Sequence, residues 1–190
     1  MTFDPTIYDN LKVVLEGAVY ELDIEGVIQI LNRSDNIHLS TMSRSYSIQF
    51  ALKHSLHEPK VTATIVLEAS LHDLAGELLA KPNESLAAFG CELSIAFEKE
   101  LFLKDEMPLR ELSKYTEEGS MFMLAEIWGE EGRHYTREWF LRAAEKGNIE
   151  AVETVQVHFD RTVNEMQMDD FPELIQHVIT SLERLDIPAT

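Results

Sequence analysis

The sequence predicts an α+β protein with a strand-rich first part and a helical second part. Before Met107-Pro108, several segments rich in Val and Ile alternate apolar and polar residues, which is the pattern of a half-buried strand. After it, apolar residues recur at three- and four-residue steps between glycines, which indicates helices. We therefore predict a mainly antiparallel β region with about one helix over residues 1–106 and an α-helical region over residues 107–190.

The β region is predicted to begin with a hairpin. We interpret NLKVVLEGAVYELD as a strand because it is rich in Val and contains Gly17, and the turn DIEG then leads into VIQIL. Periodicity does not exclude a helix at this point. A helical stripe would be formed by Ile7, Leu11, Val14, Leu15 and Ala18.

Three more strands and one helix complete the predicted β region. IHLSTMSRSYSIQFAL alternates apolar and polar residues, and VTATIVLEA is β-branched at most positions. LHDLAGELLA changes to helical spacing. CELSIAFEKELFLK alternates again, with Leu93, Ile95 and Phe97 on one side, and is predicted to be the last strand.

The final helix is the clearest predicted element of the second region. Asp170 and Glu173 fit a capping box, and Pro188 ends the segment. A wide apolar stripe follows the cap, through Phe171, Leu174, Ile175, Val178, Ile179, Leu182 and Leu185. Such a stripe belongs against other protein, its own neighbours or a partner, so a homodimer through this helix is one expectation.

Residues 139–151, WFLRAAEKGNIEA, resemble Sel-one-like repeats, which are relatives of the tetratricopeptide repeat built from stacked helix pairs. The aromatic places of that pattern are taken by Trp139 and Phe140. Its paired small residues are Ala143 and Ala144, and its turn glycine is Gly147. Paired alanines let two helices approach closely, and a glycine permits the left-handed turn that ends a helix.

The resemblance covers roughly residues 116–160. Ala151 takes the start of the following helix, and Leu124, Ala125 and Trp128 match the end of a preceding one. The resemblance implies a scaffold that binds proteins or peptides on a concave surface, because stacked helix pairs carry no chemistry of their own. The β region and the last helix would then act as its caps.

The charge of the chain excludes several classes of partner. Lys and Arg number 16 against 34 Asp and Glu, which gives a net charge of −18. A surface this negative repels phosphate, so we expect neither nucleic acid nor an anionic membrane as partner. No apolar run approaches the roughly 18 residues of a spanning helix, and MTFDPTIYDN lacks the features of a signal peptide. With the single Cys91, these features predict a cytoplasmic protein.

We find no sequence motif for catalysis, cofactor binding or metal binding. Phosphate-cradling glycine motifs and the G-x-S-x-G nucleophile motif are missing. His54, His57 and Glu58 form the one close cluster of metal-type ligands, which we interpret as a solvated turn and not as a zinc site. Cys91 lies in an apolar segment and is interpreted as a buried, inert thiol. The prediction is therefore no catalytic residue, no cofactor and no metal.

The function predicted from these features is protein–protein interaction without catalysis, with a basic protein among the partners that fit. The candidate contact residues flank the predicted helix pair and are Glu130, Glu131, Tyr135, Glu138 and Arg142. An acidic inhibitor or immunity-type protein that blocks a basic target is the alternative. A small-molecule pocket or an enzyme in the β region is a third hypothesis, without residue-level support.

Overall fold

The computed structural model describes residues 7–53, 61–79, 89–103, 120–129, 134–143 and 149–186. These residues form an α+β fold with one large antiparallel sheet. The elements in chain order are α1 (Ile7–Glu25), β1 (Ile28–His38), β2 (Ser43–Leu52), β3 (Val61–Ala69), α2 (Leu71–Leu79), β4 (Cys91–Leu103), α3 (Ser120–Trp128), β5 (His134–Ala143), β6 (Ile149–Val163), a 3₁₀ helix (Glu165–Asp170) and α4 (Phe171–Leu185).

The six described strands pair in the order β1-β2-β3-β4-β6-β5, and every pairing is antiparallel. β4 pairs with β6 from Cys91↔Val163 to Leu103↔Ile149, so strands from both halves of the sequence share one sheet. The predicted boundary at Met107-Pro108 lies outside the described residues. The register shifts at two places, between Ile30 and Asn32 in β1 and between Glu92 and Ser94 in β4.

The core lies between the helices and one face of the sheet, which we call the helix-covered face. α1 contacts β1 and β3, and α4 contacts β2 and β3. Because side chains alternate along a strand, every second residue enters this core. The buried strand residues include Tyr46, Ile48, Phe50, Ile65, Leu67, Ile95, Phe97, Val155 and Val157. They meet helix residues that include Leu11, Leu15, Val19, Ile175, Val178 and Leu182.

The prediction of a strand and hairpin at the N-terminus is wrong, because Ile7–Glu25 is the helix α1. Its buried residues follow helical steps, and the burial of that stripe outweighs the modest helix penalty of β-branched Val. Gly26 ends α1 with φ +78°. The amide of Val27 donates to the carbonyl of Leu22 at 3.0 Å and that of Gly26 to the carbonyl of Asp23 at 3.0 Å, which is a Schellman motif.

The prediction of a helical region over residues 107–190 is also wrong, since β5 and β6 lie within it. Trp139, Phe140 and Ala143 belong to β5, and Ala151 belongs to β6. Ala144 and Gly147 lie outside the described residues. Trp139 and Phe140 therefore alternate across a sheet, and Ala143 and Ala151 lie in strands and not at the contact between two helices.

Other predicted elements are confirmed. β3 and α2 form where expected. β2 covers only the later part of IHLSTMSRSYSIQFAL, since Ile37 and His38 end β1 and residues 39–42 form a turn. CELSIAFEKELFLK is a strand, although it is not the last one. α4 begins at Phe171 as predicted, but Asp170 makes no side-chain cap hydrogen bond. The capping box lies one element earlier. There, Asn164 Oδ1 accepts from the Met166 amide at 2.9 Å, and Gln167 Oε1 accepts from the Asn164 amide at 3.0 Å.

The apolar stripe of α4 is buried in the core of its own chain. The exposed positions of this helix are polar apart from Pro172, and they include Glu173, Gln176, His177, Glu183 and Arg184. α4 therefore offers no apolar outer surface of the kind that a homodimer through this helix would use.

Candidate binding surface

The second face of the sheet, which we call the open face, has none of the described helices packed on it. Its residues are those that alternate with the buried ones, and most are half-buried or exposed. Small polar side chains dominate its centre. Cross-strand hydrogen bonds join them: Gln49 Nε2 donates to Thr62 Oγ1 at 3.3 Å, and Gln156 Nε2 donates to Ser94 Oγ at 3.2 Å. The centre of the open face is therefore a polar surface whose side chains are joined across the paired strands.

Carboxylates surround this polar centre. They are Glu68, Glu92, Glu98, Glu100 and Glu138, placed on this face by the strand registers. None of the five makes an ion pair with another residue that the structure describes. On the helix-covered face, by contrast, cations are paired within the chain: Lys12 lies 2.7 Å from Asp35, and Arg44 lies 3.0 Å from Asp9. The five open-face carboxylates therefore carry negative charge that no ion pair among the described residues compensates, and exposed helix carboxylates such as Glu173 and Glu183 are in the same state.

A groove of about 390 Å³ lies on the open face beside the register shift of β4 and β6. Glu68 and Glu92 are direct cross-strand neighbours at its edge, and Arg161 lines it as well. Like charges placed directly opposite each other on a sheet are unfavourable, so a cation between the two carboxylates would stabilise the site. The remaining lining residues are Val66, Leu93, Ser94, Gln156, His158, Phe159 and Thr162.

The two predicted contact residues whose side chains the structure describes, Tyr135 and Glu138, do not lie together. Glu130 and Glu131 lie outside the described residues, and Arg142 is part of β5. Glu138 is exposed on the open face, whereas Tyr135 is half-buried on the helix-covered face and packs against the core. Burial raises the pKa of the Tyr135 phenol. Tyr135 and Glu138 therefore face opposite sides of the sheet, because their positions differ by an odd number of residues.

Sequence reasoning missed the groove and its carboxylates. The alternation in CELSIAFEKE already places Glu92, Glu98 and Glu100 opposite the apolar positions of that strand. Glu68 and Glu92 lie side by side only because β3 pairs with β4 in this register. The sequence of one strand does not show which strand it will pair with.

The histidine cluster and the cysteine singled out in the sequence lie in different parts of the chain. No group of three or more His, Cys, Asp or Glu among them is placed to hold a metal ion. His54, His57 and Glu58 fall in a part of the chain that the structure does not describe. Cys91 is buried, and burial raises the pKa of its thiol to about 12. A thiol of this kind is a poor nucleophile near neutral pH.

Cys91 is expected to resist thiol reagents in the folded protein. A pKa of about 12 in place of 9.0 lowers the thiolate fraction at pH 8 roughly 1000-fold, and burial adds a steric barrier. The rate of disulfide-reagent labelling at pH 8, with and without urea, measures this protection. The raised pKa adds stability below about pH 9, which is lost as the pH rises through about 12. Native labelling within tenfold of the unfolded rate would contradict the prediction.

Comparisons with known protein families, with curated proteins and with solved structures found no match. The resemblance to Sel-one-like repeats is therefore wrong, both because no family matches and because β5 and β6 occupy the residues that carried it. Among the described residues, no helix has the length and apolar character needed to cross a membrane.

Proposed function

We propose that this chain is a non-catalytic interaction protein that binds a basic segment of another protein on the open face of its sheet. The observation that carries the proposal is the group of five open-face carboxylates without an ion-pair partner among the described residues. A Lys- or Arg-rich segment complements this charge, and complementary charge contributes both specificity and association rate.

The groove offers a defined place at which one basic side chain of the partner would bind. Side chains directly opposite each other on paired strands have Cβ atoms about 5 Å apart. Glu68 and Glu92 can therefore both reach one guanidinium or ammonium group. An arginine suits this arrangement because its planar guanidinium can donate to two carboxylates at once. Ser94 and Gln156 supply additional hydrogen-bonding groups in the same groove.

The same surface supports the alternative of an acidic inhibitor or immunity-type protein. In that case the basic segment belongs to the active site of the target, and binding abolishes the activity of the target. An adaptor would leave that activity intact. The single buried cysteine fits a reducing compartment, and we propose the cytoplasm as the location.

Peptide binding tests the proposal. The probe is a synthetic peptide of alternating Arg and Ser, and the acidic counterpart of alternating Glu and Ser is the negative control. The double variant Glu68→Gln/Glu92→Gln should weaken binding of the basic peptide at least tenfold, and binding of the native chain should fall as salt rises from about 50 to about 500 mM. Calorimetric titration or fluorescence anisotropy measures both effects.

A matched variant separates the groove from general attraction to an acidic protein. Glu173→Gln/Glu183→Gln removes the same amount of charge from exposed positions on α4, on the other side of the sheet. It should leave the affinity within about twofold of the native chain, because exposed charges beyond about 10 Å are screened. Equal losses in the two double variants would overturn the proposal.

A further inference from the structure

The outer side of α1 carries an exposed apolar stripe. Val13 is 63% exposed, Tyr20 is 38% exposed and Ile24 is 84% exposed. Gly17 lies between them, and nothing else in the described chain lies within 4 Å of the position that a Cβ would take there. These four residues follow steps of four, three and four along the helix, so they share one side of it. We call them the α1 stripe.

The α1 stripe is additional to the side of α1 that forms the core. Tyr8, Leu11, Leu15 and Val19 already bury the inner side. A helix with apolar residues on both sides is typical of a buried helix, and an exposed apolar patch with a polar rim marks an interaction site. The outer side of α4 is polar apart from Pro172, whereas α2 and α3 each expose two large apolar residues near their ends, Leu71 with Leu79 and Met121 with Phe122.

We propose that the α1 stripe is the contact between two copies of this chain, with the two α1 helices antiparallel across a two-fold axis. The stripe is self-complementary about its midpoint, as an isologous contact requires. Val13 of one copy meets Ile24 of the other, and the Tyr20 ring covers Gly17 of the other copy. The space beside Gly17 is then filled by the second chain.

The exposed apolar area at the α1 stripe fits a dimer interface at the lower end of the sizes seen for specific interfaces. Val14, next to Val13 on α1, and Val27, directly after Gly26 at the end of the helix, are also exposed by about two fifths and extend the apolar surface. Together the exposed apolar side chains present an area on the order of 500 Å² per copy, so a two-fold contact would bury about 1,000 Å², the lower bound of a specific interface. We therefore expect a reversible dimer.

The dimer leaves the open face available. α1 packs on the helix-covered face, so contact through its outer side keeps both open faces directed away from the interface. Two copies would then present two acidic faces, and a partner with two basic segments would bind with increased avidity.

Salt distinguishes this contact from the open-face binding. The stripe is flanked by exposed Glu21 and Glu25, and each chain carries a net charge of −18. Repulsion opposes self-association at low ionic strength, so salt should strengthen the dimer, since screening removes the repulsion while the apolar contact remains. Binding of a basic segment should weaken under the same change, and either proposal can therefore fail without the other.

Sedimentation velocity of the native chain between about 5 and 500 µM, at low and high salt, tests the inference. We expect a concentration-dependent dimer whose dissociation constant falls at high salt. Ile24→Gln should raise that constant at least tenfold. Gly17→Ala should raise it as well, because its methyl group enters the space that Tyr20 of the second copy occupies, while the melting temperature of the chain stays the same or increases.

Leu39→Gln is the matched control, because Leu39 is 80% exposed but lies in the turn between β1 and β2. It should leave the dissociation constant unchanged. A purely monomeric chain at about 500 µM and high salt would overturn the inference. A dimer that Ile24→Gln and Gly17→Ala leave intact would overturn it equally, since the contact would then lie elsewhere.

Discussion

Replacing Arg137 with methionine should lower the free energy of unfolding by about 3 kcal/mol, the low end of the range for breaking a buried ion pair. Glu153 is only 2% exposed, and Arg137 donates to its Oε1 from Nε at 2.7 Å and from a terminal nitrogen at 2.6 Å. Ser120 Oγ donates to the other carboxylate oxygen at 2.7 Å. Without the guanidinium, the buried carboxylate would keep the Ser120 hydrogen bond and its cross-strand neighbour Lys99, but Lys99 Nζ donates to the Leu185 carbonyl at 2.6 Å.

The double variant Arg137→Met/Glu153→Leu provides the control. It removes both charges and leaves apolar side chains of similar size, so it should recover most of the stability that the single variant loses. Urea unfolding followed by tryptophan fluorescence measures both, with the buried Trp128 of α3 as the probe that neither variant touches. A double variant as unstable as the single one would show that packing, and not the loss of the two guanidinium hydrogen bonds to the buried carboxylate, dominates.

The same ion pair explains why sequence analysis missed β6. In IEAVETVQVHF the residues Ala151, Val155 and Val157 share one parity, as a half-buried strand requires. Glu153 interrupts this parity with a charge at a buried position, and the charge is tolerated because Arg137 on the neighbouring strand pairs with it. The alternation of apolar and polar residues in β6 was therefore present but hidden by Glu153. The arginine that compensates its charge lies sixteen positions away in the sequence.

The N-terminal helix was missed for a different reason. Val favours a strand and Gly disfavours a helix locally, and the competing helical stripe was already visible in the sequence. Only tertiary packing decides between the two, because α1 is stabilised by burying its inner side against β1, β3 and α4. Elements such as α4 and β3 were predicted correctly because their apolar residues fit one periodicity only.

Part of the candidate site follows from the sequence and part does not. The polar parity of β4 predicts an acidic row on one side of that strand. The groove forms where three residues of β6, from Phe159 to Arg161, stand opposite Leu93, and such a register shift is a property of strand pairing. The α1 stripe likewise becomes visible only after the other side of that helix is known to be buried.

Gly90 and Gly17 are expected to respond in opposite directions to the same substitution. Gly90 precedes β4, and a Cβ placed there would lie 3.0 Å from the Val163 carbonyl carbon and closer still to its oxygen. These are backbone atoms held by the pairing of Cys91 with Val163, so they cannot move aside as a side chain would. Gly90→Ala should therefore lower the free energy of unfolding by about 3 kcal/mol, as overpacking does in close-packed sites.

Gly17→Ala introduces the same methyl group where the described chain leaves open space. An alanine inside a helix is favoured over glycine by about 1 kcal/mol, because glycine loses more backbone entropy on folding, so this variant should be stabilised by that amount. Urea unfolding at a protein concentration of a few micromolar, where self-association does not contribute, measures both variants. If Gly90→Ala were as stable as the native chain, Gly90 would not be required for the close approach of β4 to the end of β6.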